Sequence, residues 1–166
     1  MDKINAWKAA VTALLGALTA LWGWFGWLVV GWVGLMLLDY ITGSAAAAKD
    51  GQWSSKEARA GIWHKAGMVV VVIVAAGADM LLALILTNLP VIQLPIAYRG
   101  LVCPMVLVWY CITELGSIAE NAVTMGAKVP AWLTKLLKAG QAAVDAAGDK
   151  VVESSDSEQE DGQDTR

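Results

Sequence analysis

Few side chains in this sequence combine a reactive type with an unusual setting, and the notable ones are acids set in apolar sequence. Asp39 follows thirty uncharged residues, Ala9 to Leu38. Asp79 is the one charge in the thirty-three residues from Ala66 to Tyr98, and Glu114 ends an uncharged run of fourteen, Gly100 to Thr113. A carboxylate in hydrocarbon costs several kcal/mol unless it takes a proton, pairs with a cation or reaches water. The chemistry on offer is therefore proton exchange, ion pairing or the lining of an aqueous path. Asp39, Asp79 and Glu114 are the candidate intramembrane polar or lumen-facing residues.

Other chemistries find no support. The single His64 excludes a multi-histidine metal site, and two cysteines exclude a four-cysteine zinc site or a disulfide framework. Cys103 and Cys111 stand roughly 80° apart around a helix and read as small apolar fillers. No spacing joins Ser44 or Ser117 to His64 as nucleophile and base. No glycine cluster ends in Gly-Lys-Ser/Thr to cradle a phosphate. No catalytic, metal or cofactor-binding residue is expected, the chain does not read as an enzyme, and nothing points to a nucleic-acid partner. His64-Lys65 reads as the membrane boundary of a polar loop.

The elements that position the acids follow from the uncharged runs. A membrane-spanning helix needs about 20 mainly apolar residues, and the runs of thirty and thirty-three exceed that. Backbone amides in hydrocarbon must be satisfied internally, so spans are helices or closed barrels. Barrel strands alternate apolar and polar residues, whereas Met68 to Ala76 is apolar without alternation. An all-α membrane protein results, with helices expected at about 4–22, 28–48, 66–87 and 96–118. Trp22 to Trp27 holds four aromatics and two Gly and reads as a turn in the headgroup zone. Asp50-Gly51 marks a turn, and Ser54 with Glu57 has capping-box spacing, so a short helix starts near Ser55 and runs into the next span. Pro104 is expected to bend the last span. Ala13, Ala17 and Ala20 on the first helix, and Gly43 with Ala47 on the second, form small faces suited to close helix packing. The apolar start carries no good cleavage site, so no removed signal peptide is expected.

After the last span the chain changes character. Residues 130–147 are amphipathic, with Trp132, Leu133, Leu136, Leu137 and Val144 against Lys135 and Lys138. Such a helix is expected to lie in the membrane interface. The organisation is thus a membrane domain, 1–147, and an acidic tail, 148–166, expected to be disordered. The net charge of −3 hides this division: residues 1–144 sum to +3 and residues 145–166 to −6. The basic loop with Lys49, Lys56, Arg59 and Lys65, and the stretch with Lys128, Lys135 and Lys138, belong in the cytoplasm by the positive-inside rule. Arg99 then lies outside and the C-terminus is cytoplasmic. If the N-terminal helix crosses, Lys3 and Lys8 are inside and the spans number four. If it lies in the interface they number three. Charge bias favours four.

Three ordered motifs carry a resemblance. Leu38-Asp-Tyr-Ile-Thr-Gly43 is followed by Ala45 to Ala48. Gly51-Gln-Trp-Ser-Ser-Lys56 precedes Gly61 and His64-Lys-Ala-Gly67. Glu114-Leu-Gly-Ser-Ile-Ala-Glu-Asn121 leads to Met125-Gly-Ala-Lys-Val-Pro130. Together these resemble the toxin-secretion/phage-lysis holins, bacteriophage holin family 4 type. The resemblance implies a phage-encoded protein that oligomerises in the bacterial cytoplasmic membrane and forms lesions at a programmed time. Its partners would be the lipid bilayer and its own copies. An endolysin, or a toxin, would be the released cargo without necessary direct binding. The motifs imply no active site. Two other readings stand beside this one. One is a small multi-pass transporter or channel subunit with Asp79 as coupling residue, although the halves show no inverted repeat. The other is a membrane anchor that recruits cytoplasmic partners through its acidic tail.

Overall fold

The computed structural model describes residues 2–88 and 100–161, with the side chains of 2–5, 10–11, 14–15, 17–22 and 152–161 excepted. Four helices follow in chain order: α1 (Asp2–Lys49), α2 (Ser55–Asn88), α3 (Val102–Thr124) and α4 (Ala131–Asp161). Among the described residues three helical stretches are long and apolar enough to cross a membrane, namely Gly23–Lys49, Ser55–Asn88 and Val102–Thr124. The segment before Gly23, whose crossing the charge bias favours, is not among them.

Several boundaries differ from the sequence expectation, each for a local reason. The turn expected in the Trp-rich stretch is a kink at one residue: α1 leaves helical geometry at Gly23, at φ 57° and ψ −147°, and resumes at once, earlier than the expected start near 28. A positive φ costs an L side chain roughly 1–2 kcal/mol, and glycine avoids that cost. The expected bend at Pro104 is absent because α3 begins at Val102 and not near 96. Pro104 then lies in the first turn, where an amide proton has no intrahelical acceptor to lose. The α2 start falls where the sequence places it. The Glu57 amide donates to Ser54 Oγ at 3.2 Å, and the Ala58 amide to the Ser54 carbonyl at 3.0 Å. The connection before it is tight. Gly51, at φ 66°, lets Gly51 and Gln52 donate back to Ala48 and Ala47, a glycine-closed helix end.

α3 is the central element, with α1, α2 and α4 all packed on it. Trp32 of α1, Met68 and Ala75 of α2, and Cys103 and Leu107 of α3 form the buried core. The Trp32 ring stacks on Tyr110 with centroids 6.0 Å apart. Outward positions are as apolar as inward ones; Ile73 and Val74 are each 65% exposed. A helix apolar all round is covered by lipid where it is not covered by protein.

α4, the expected amphipathic helix, folds back antiparallel along α3. Gly140 packs on Ile112, Gln141 Nε2 donates to Thr113 Oγ1 at 3.0 Å, and Gly148 meets Met105. Leu133, Leu137, Gly140, Gln141, Val144 and Gly148 are its partly buried residues, and their spacing of one, three and four keeps them on one face. The helix also continues past 147 to Asp161 through part of the stretch expected to be disordered. Neither Pro nor Gly occurs between Asp149 and Asp161 to stop it. Residues 162–166 of the expected tail lie outside the described residues.

Candidate functional site, a buried ion network across three spans

Asp39, Lys65 and Glu114 sit on α1, α2 and α3, ten residues from Lys49, Ser55 and Thr124 respectively. Those three termini lie at one end of an antiparallel bundle, so the charges share a depth of about 15 Å at 1.5 Å per residue. Lys65 Nζ donates to Asp39 Oδ2 at 2.9 Å and to both Glu114 oxygens, at 2.9 and 2.7 Å. Glu114 is 3% exposed, while Lys65 and Asp39 retain a little accessible surface. A cavity of about 190 Å³ between the ends of α1 and α2 reaches Asp39 and Lys65 past Gly43, Ala47 and Gly61. The network therefore has an opening on the side of the basic loop.

Asn121, two turns beyond Glu114 on α3, closes the network toward α1. Its Nδ2 donates to Asp39 Oδ1 at 3.0 Å and to Thr42 Oγ1 at 3.2 Å. The Thr42 hydroxyl in turn donates to the Asp39 carbonyl at 3.1 Å. Gly43 lies beside this contact, and a Cβ there would stand at van der Waals distance, 3.4 Å, from Asn121 Nδ2. The three sequence motifs thus meet in space, Asp39 to Gly43 from the first, Lys65 from the second, Glu114 and Asn121 from the third. Below them Lys49 Nζ donates to the Thr124 carbonyl at 3.0 Å and ties the ends of α1 and α3.

Asp79 does not join the network. Its Oδ1 accepts the amides of Leu101 and Val102 at 3.0 and 2.9 Å, and its Oδ2 that of Cys103 at 2.8 Å. The carboxylate is a cap for α3 supplied by α2. The free amides and positive end of a helix suit an anion. Gly100, at φ 84°, admits it, since a Cβ there would lie 3.1 Å from Asp79 Oδ2. The sequence put Asp79 deep inside its span. In the bundle it stands at the level where α3 begins, and α2 continues about 13 Å beyond it.

The small residues divide. Ala13 is exposed, and the side chains of Ala17 and Ala20 lie outside those described. Gly43 lies against Asn121, and Ala47 is partly buried at the cavity. Cys103 is buried with its thiol 3.8 Å from the Val72 carbonyl, and Cys111 is partly buried on the same helix.

Two network members escape a reading of the sequence. Lys65 looks like a boundary marker, and Asn121 stands at the end of the third motif with no role assigned. The available signal was the bookkeeping of charge by depth. Two acids lay well inside apolar helices, and Lys65 was the basic residue an equal distance along the intervening one.

Residues 16–141 match the bacteriophage holin family, a stretch holding all four network residues. An uncharacterized protein of Halalkalibacterium halodurans is 31% identical over 137 residues, covering 82% of this chain and 93% of that protein. No solved structure gives a significant match.

Proposed function

The chain belongs to the bacteriophage holin family, and from that membership we propose that it collects in the bacterial cytoplasmic membrane and assembles into lesions at a timed point of lysis. The cargo released is an endolysin, or a toxin, crossing without a binding site on this chain. The basic loop 49–65 and the stretch 128–138 face the cytoplasm. The observation that carries the reading is the join between three apolar spans and one largely buried ion network that a cavity reaches at Asp39 and Lys65. A lesion former must accumulate as a packed, harmless bundle and later offer polar surface to water. Asp39, Lys65, Glu114 and Asn121 supply the packing lock of the first state. Asp39 and Glu114 become lumen-facing carboxylates when the spans part, and Asp79 stays with α3 as its cap.

The test is regulated expression in a bacterium with and without a cytoplasmic endolysin. The expected result is abrupt loss of viability without the enzyme and culture clearing only with it. Slow growth inhibition with no release of the endolysin would overturn the proposal and favour a transporter.

A further inference from the structure

We propose that one outer face of α2, formed by Lys56, Arg59, Trp63, Gly67, Val70 and Val74, binds an anionic phospholipid of the leaflet on the basic-loop side. The inference rests on the proposed orientation, with the Ser55 end of α2 cytoplasmic, and not on lesion formation.

Register comes first. The six positions are separated by three, four, four, three and four residues. At 100° per residue they share a stripe about 80° wide. All six are exposed, Trp63 at 77%, Val70 at 59% and Val74 at 65%. The opposite side of α2 carries Lys65, Met68 and Ala75, which face the network and the core. The stripe is thus turned away from the bundle.

Order comes second, because the chemistry changes along the stripe as it does through a leaflet. Lys56 and Arg59 stand in the first turns of α2, Trp63 one turn further, and the apolar positions beyond. Trp63 and Val74 are eleven residues apart, about 16 Å along a helix, or half of a hydrocarbon core about 30 Å thick. Trp63 at the headgroup boundary, where Trp is favoured, therefore sets Val74 near the midplane and both cations at phosphate level. Gly67 leaves a notch between Trp63 and Val70, since a Cβ there would meet nothing within 4 Å. An acyl chain can lie in that notch without displacing a side chain.

Charge decides the occupant. Among the described residues the ion pairs belong to Lys65, so neither Lys56 nor Arg59 has one. Glu57 stands about 100° around from Lys56 and lines the cavity with Asp39. Two uncompensated cations one turn apart repel each other until an anion stands between them. A guanidinium binds phosphate oxygens through two parallel bonds. A lipid of net negative charge supplies that anion, whereas a zwitterionic one brings its own ammonium. A second copy seated on the same stripe would set Lys56 and Arg59 against their like.

The experiment uses the full chain, with p-benzoylphenylalanine replacing Trp63, in vesicles of equal phosphatidylglycerol and phosphatidylcholine. After illumination the attached lipid is identified by mass. Each cation near an anionic surface favours it by about fivefold, so phosphatidylglycerol adducts should exceed phosphatidylcholine adducts at least about fivefold. Lys56→Gln/Arg59→Gln should bring the ratio near one. Lys128→Gln/Lys135→Gln, which removes equal charge from the other basic stretch, should leave it unchanged. An equal fall in both variants overturns the site and leaves only a surface potential. Attachment mainly to a second copy, or a ratio near one without either double substitution, also overturns it. Native mass spectra of the unmodified chain from mixed micelles give a measure that needs no replacement. Retained phosphatidylglycerol, lost in Lys56→Gln/Arg59→Gln, is expected, and equal retention by both chains overturns the proposal. Dye efflux from the same vesicles is read separately, and selective lipid attachment without efflux sustains this inference and counts against the lesion reading alone.

Discussion

Lys65 and Glu114, forty-nine positions apart in sequence, meet through both carboxylate oxygens at 2.9 and 2.7 Å, with Asp39 on the other side of the ammonium. Removing one member of a buried pair leaves uncompensated charge and costs about 3–5 kcal/mol. Lys65→Met should lose stability on that scale, because it strands two carboxylates at once. Unfolding in detergent, followed by circular dichroism, reads the change. A midpoint equal to that of the native chain would mean the network does not hold the bundle.

Neutralising the whole network should cost less than breaking it. In Asp39→Asn/Lys65→Met/Glu114→Gln no buried charge remains, whereas breaking the network at one member strands charge, and loss of a whole buried ion pair is far less costly than loss of one partner. The triple variant is expected to be more stable than Lys65→Met in the same assay. The reverse order would show that the acids are not destabilising once unpaired.

Asp79→Leu should loosen the start of α3. It leaves the amides of Leu101, Val102 and Cys103 without their acceptor, and at the buried Cys103 an unsatisfied donor costs about 1–3 kcal/mol. Hydrogen exchange at residues 101–103 should accelerate, and the buried Cys103 should react faster with a small alkylating reagent. Protection equal to the native chain would show that another group caps α3.

Gly140→Val should lift α4 from α3. A Cβ at Gly140 would lie 3.2 Å from Ile112 Cδ1, and overpacking of this kind costs about 1–3 kcal/mol. Limited trypsin digestion at Lys135 and Lys138 reports release of the helix and should quicken. Gly67→Val, at a position with open space around a Cβ, is the control expected to leave digestion unchanged.

Truncation after Val151 should spare lysis and alter only its timing. The contacts of α4 with α3 extend to Gly148 and Val151, so the cut removes acidic sequence and leaves the packed face. Timed expression with an endolysin checks this. Complete loss of lysis would favour an anchor that acts through its tail.

The sequence by itself determined that three apolar stretches are long enough to span a membrane, and where α1 ends and α2 begins, because these depend on neighbours along the chain. Thirty uncharged residues before Asp39 demand a solvent other than water, and Ser54 with Glu57 caps α2 through bonds within one turn. Composition also determined that α4 is amphipathic. Only the tertiary structure decided what the polar residues do. Lys65 and Asp79 each look locally like something else, a boundary charge and a deep lone acid. Their roles depend on which helix stands opposite and at what depth. The same holds for α4, whose stripe fits a membrane surface or a neighbouring helix equally well, until Gly140 and Thr113 meet their partners. Periodicity fixes which side of a helix is apolar; what that side touches is decided by long-range packing, which no local pattern encodes.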